Sequence, residues 1–95
     1  MGITGYYRLD ARDATHACLL DDLVLLYHPR SGQTHMVISP VPEILDQMCI
    51  DERVSAADLH DRLAQRFDLG PRAAALPEIA AHLDALVALG LVRPA

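Results

Sequence analysis

Ninety-five residues are the length of one domain and too few for two, so residues 1–95 are expected to form a single unit. Apolar residues make up 52% of the chain, which excludes a disordered polypeptide, and three tyrosines with one phenylalanine leave the core to Leu, Val, Ile and Ala. The formal charge is −5 and all eight cations are arginine, which gives no electrostatic reason for affinity toward nucleic acid or an anionic membrane.

The first thirteen residues lack the basic-then-apolar pattern of a secretory signal. No apolar run approaches the roughly 20 residues of a membrane span, so the chain reads as cytoplasmic. Residues 1–14 carry no firm assignment, although Gly5 to Leu9 is a weak candidate for extending a sheet. Two apolar runs follow, His16 to Leu20 and Leu23 to His28, with Asp21-Asp22 as the turn between them. Pro29-Arg30-Ser31-Gly32 then leads into Thr34 to Ile38. Gly32 suits the left-handed position that closes a turn with a bulge, so the last two runs read as a hairpin. Cys18 and Cys49 both sit in apolar segments and are expected as buried free thiols rather than as a disulfide.

Helices follow the strands. Ser39 is the expected N-cap of the first, with Pro40 at the first helical position and Val41, Ile44, Leu45, Met48 and Cys49 on one face. Ser55 caps the second, Asp58 completes a capping box, and Val54 is placed to staple onto Leu59. Its expected buried stripe is Leu59, Leu63 and Phe67, and Gly70-Pro71 stops it. The third presents Ile79, Leu83, Leu86 and Val87 and ends at Gly90, with Leu91 packing back on Leu86. Pro77 is expected to forbid a regular helix through that point, leaving its start open. The order predicts an α+β fold: a three-stranded antiparallel sheet followed by three helices, the parts of a winged helix with the sheet first.

Candidate chemistry is sparse. His28 and His35 flank the hairpin turn, but two ligands do not make a zinc site, and His60 and His82 read as boundary positions. Asp21-Asp22 reads as a solvated turn, not paired catalytic carboxylates. No phosphate loop, nucleophile elbow or nucleotide fingerprint is present, so no enzyme, metal or cofactor is expected. The third strand is more informative. Met36 and Ile38 share one face and His35 and Val37 the other, and an edge strand with apolar groups on both faces is suited to strand addition. The competing reading covers one face with a helix and the other with a homodimer contact.

The stretch from Leu23 to His35, followed by Ser39-Pro40-Val41-Pro42-Glu43-Ile44-Leu45, resembles the PqqD-like family of peptide-modification chaperones. More narrowly it looks like the branch found with a kinase related to HPr kinase. Ser55-Ala56-Ala57-Asp58-Leu59 and Leu86 to Val92 fit the same pattern, and the match spans about residues 15 to 93. The resemblance implies a non-catalytic recognition element that binds the leader of a ribosomally made precursor peptide and presents it to a separate modifying enzyme. Relatives add the leader beside the third strand and against the third helix. Carried over, these positions are Thr34, His35, Met36, Val37 and Ile38, with Ile79, His82, Leu83 and Leu86. Arg30 and Arg72 are the nearby cations for an acidic leader. Residues 1–12 match nothing in the family. A subunit docked on an HPr-kinase-like partner is an alternative. A winged-helix DNA-binding regulator is another, opposed by the net charge and by Glu78, His82 and Asp84 on the third helix.

Overall fold

A computed structural model describes residues 5–21 and 23–95. Strands β1 (Tyr6–Arg8), β2 (His16–Leu20), β3 (Leu23–His28) and β4 (Gln33–Ile38) precede helix α1 (Val41–Asp46). Strand β5 (Val54–Ser55), helices α2 (Ala56–Ala64) and α3 (Arg72–Ala88) and strand β6 (Arg93–Pro94) complete the chain. The fold is α+β, with the expected three-stranded antiparallel sheet in the order β2–β3–β4. Asp21 turns β2 into β3 at φ 51°, a conformation that aspartate tolerates, whereas its expected turn partner Asp22 lies outside the described residues. Gly32 has φ 74° and donates its N–H to the His28 carbonyl at 2.8 Å, the bulged turn that its position predicts.

Gly5 to Leu9 does not extend that sheet. Strand β1 instead centres a second one, β5–β1–β6, in which Tyr7 lies opposite both Val54 and Pro94. Its flanking strands have two residues each, too short to show any period. The Tyr7 ring enters the core while its hydroxyl donates to Asp84 at 2.5 Å. Burial, and then the neighbouring Asp84 carboxylate, push the Tyr7 phenol up to about 12.

Strand β3 and β4 residues Leu26 and Val37, helix residues Ile44, Leu59, Leu63, Ile79, Leu83 and Leu86, and Val54, Leu91 and Val92 share one apolar core. Each such side chain contributes about 1.5–3 kcal/mol by leaving water. The capping box at α2 is complete: Asp58 N–H donates to Ser55 Oγ at 3.1 Å, and Ser55 N–H donates to the Asp58 carboxylate at 3.0 Å. Helix α3 ends as its sequence predicts. Gly90 at φ 79° donates to Val87 and Leu91 donates to Leu86, which closes a Schellman motif.

Four local expectations are corrected. Helix α1 begins at Val41 with Pro40 in the capping position, and the Ser39 hydroxyl bonds the Glu43 carboxylate instead of a backbone N–H. Helix α2 stops at Ala64, so Phe67 falls beyond it and is exposed, not part of the buried stripe. Helix α3 runs from Arg72 straight through Pro77. Pro77 and Ala73 are both exposed, so the helical bond that the proline cannot make is lost at the surface and not in the core. Cys18 and Cys49 are free but exposed, because β2 and the end of the α1 segment have nothing packed over them.

Candidate functional site

Side chains alternate across β2–β3–β4, and only one face of that sheet meets the core. Val37 is buried and His35 half-buried on this inner face, while Thr34, Met36 and Ile38 are exposed on the outer one. Strand β4 pairs with β3 alone, so its far edge is open among the described residues. That much of the predicted site is present. The predicted wall is not. Ile79, Leu83 and Leu86 are 5%, 0% and 2% exposed and lie in the core beside Val37, and His82 is half-buried. Helix α3 spends Ile79, Leu83 and Leu86 on the interior, and Val87 of the same stripe is half-buried. A chain added to β4 therefore finds Ile79, Leu83 and Leu86 closed off in the interior and not exposed as a wall.

The outer face carries several exposed apolar side chains. Cys18 and Leu20 of β2 align with Leu25 and Leu23 of β3 and with Met36 and Ile38 of β4. Tyr27 continues the face with His16 stacked on its ring, centroids 6.4 Å apart. Met36 is 67% and Ile38 63% exposed, and no charged residue lies in these registers. The run His16 to Leu20 forms the third antiparallel strand that its sequence predicts, yet all five residues are exposed.

On the inner side, β2 borders a cleft of about 470 Å³ whose lining includes Leu19, Val24, Leu45 and Ile50 together with Asp13 and Asp46. Helix α1 has six residues, too few to cover both β3 and β2, and this leaves Leu19 74% exposed.

A buried polar cluster joins one end of the sheet to the chain's last strand. Asp13 accepts from Arg93 Nε at 2.7 Å and pairs with His28 Nε2 at 3.1 Å, and Arg30 approaches to 3.6 Å. His28 Nδ1 lies 2.7 Å from Ser31 Oγ. An ionised Asp13 fixes the proton on Nε2, so Nδ1 accepts from the Ser31 hydroxyl. Burial pulls the Asp13 carboxyl upward, but hydrogen bonds from Arg93 and His28 and the nearby arginine charges hold it below the usual range. Its neighbour Asp10 takes Arg12 and Arg8, and the Arg12 hydrogen bonds hold its carboxyl far below that range. Sequence reading missed this cluster because 80 positions separate Asp13 from Arg93. It also placed the histidines at boundaries, whereas His28 and His60 are buried. Arg72 is engaged by Asp61 at 2.7 Å, and Arg30 leans toward Asp13. Among the described residues no group of three His, Cys, Asp or Glu side chains could hold a metal, and no helix is long and apolar enough to cross a membrane.

Compared with family models, with curated proteins and with solved structures, the chain matches none of them.

Proposed function

We propose that this chain is a non-catalytic peptide-binding domain that takes an extended segment along the open edge of β4, at Thr34 to Ile38. The observation that carries the reading is that edge, unpaired on its far side and flanked by exposed Met36 and Ile38. Main-chain bonds to the edge supply affinity, and alternate peptide side chains rest beside Met36 and Ile38, which supply selectivity. Ile79, Leu83 and Leu86 are interior and belong to the core on which the domain's fold depends, so they are not assigned to the peptide. The resemblance of residues 23–45 to PqqD-like chaperones supports a precursor leader as the peptide, a separate modifying enzyme as the recipient and the cytoplasm as the setting.

The test is amide chemical-shift mapping with a synthetic leader from a short reading frame neighbouring the gene. Perturbations clustered on Thr34 to Ile38, with binding weakened more than about tenfold by Ile38→Asp (about 1.4 kcal/mol), support the reading. Ile38 is exposed, so this variant keeps the core intact, and circular dichroism checks that it does. Perturbations confined to α1 and α2 refute the edge.

A further inference from the structure

The outer face of β2–β3–β4 reaches well beyond Met36 and Ile38, the two side chains that flank the edge, and its composition says what covers it. We infer that two copies of this chain pack these outer faces against each other about a two-fold axis near Leu25. A heterologous partner drawn by charge would leave charges on the surface that receives it. Here the registers of Cys18, Leu20, Tyr27, Met36 and Ile38 contain none, although the chain as a whole carries −5. Two chains of like net charge approach at least electrostatic cost through an uncharged patch. An isologous contact also requires a patch that complements itself, and Leu25, midway along the central strand, meets that condition by laying β2 of one copy over β4 of the other.

The size fits. The nine outer-face positions, at the chain's mean of about 60 Å² per residue from a total of 5757 Å², would bury about 1,100 Å² across two copies, just above the roughly 1,000 Å² of a specific interface. Stacked sheets sit about 10 Å apart and near-aligned, a geometry in which the β4 edges remain open at the flanks. Area alone does not set affinity, and an interface this small belongs with the weak, transient ones, so the dimer is sought at high protein concentration.

Neighbouring positions on β2 supply the test, because Leu19 and Leu20 point to opposite faces and are both exposed, at 74% and 47%. Sedimentation velocity at about 100 µM, a concentration that populates a weak dimer, should show a dimer for the wild type and for Leu19→Asp and a monomer for Leu20→Asp. Circular dichroism confirms that both variants are folded. A monomeric wild type overturns the inference and assigns the face to a different partner. A dimeric Leu20→Asp overturns it as well, and a monomeric Leu19→Asp moves the contact to the β2 edge or the inner cleft. In a Cys49→Ser background, alkylation of Cys18 should slow as protein concentration rises, and a rate independent of concentration counts against the face.

Discussion

Replacing Asp13 with Asn tests the buried cluster that ties the hairpin to the last strand. The carboxylate accepts on both oxygens, from Arg93 on one and from His28 on the other. An asparagine offers one oxygen and one NH₂, so it turns a donor toward either Arg93 or His28. Facing His28, it forces the proton onto Nδ1 and reverses the bond to Ser31; facing Arg93, it sets donor against cation. Removing one partner of a buried pair costs about 3–5 kcal/mol. Asp13 is 5% exposed, but the Arg93 side chain is 34% exposed and partly screened by water, which lowers the expected loss to roughly 2–4 kcal/mol. For a domain of this size that is a fall in Tm of about 4–8 °C per kcal/mol. Urea titration followed by circular dichroism at pH 7 should show a lower midpoint with an unchanged slope. The pH dependence supplies a second check. The folded-state carboxyl is depressed, so its contribution is complete well above the unfolded value of about 3.9 and is lost as pH falls through the folded value. Wild type and variant should therefore converge in acid. A loss under about 1 kcal/mol at pH 7, well below the typical cost of breaking a buried pair, or a gap that persists in acid, refutes the reasoning.

Leu63→Ala removes a side chain that is 2% exposed in the centre of the core and should cost about 2–5 kcal/mol by the same titration. Ser55→Ala takes away one half of the capping box and should cost about 1 kcal/mol, with Asp58 left as an ordinary first-turn acid. A midpoint unmoved by Ser55→Ala would mean that β5, and not the cap, sets the start of α2.

What the sequence made legible was local. The capping box at Ser55, the bulge at Gly32 and the Schellman end at Gly90 each depend on residues within a few positions of one another, and each is present. What it hid was non-local. Strand β1 is three residues long and paired at both edges with two-residue partners, which no periodicity can announce. Apolar spacing says that a residue has a face, not that a neighbour reaches it. Phe67 and Cys18 are exposed for want of a neighbour, and Ile79, Leu83 and Leu86 are buried by having too many to leave a groove. Pro77 misled because a lost helical bond is costly only where its carbonyl is buried.

The second sheet also sets the order in which the molecule comes together. The β2–β3–β4 meander and the α2–α3 pair join neighbours in sequence, so each can close over a short loop. Strand β1 must wait for residues 54–55 and for residues 93–94, and Asp13 for Arg93, nearly the whole chain away. Contacts of that separation carry the largest loop-closure entropy and slow the approach to the native state. The topology therefore implies that β1, whose partners lie far along the sequence, is fixed after the meander and the α2–α3 pair have closed.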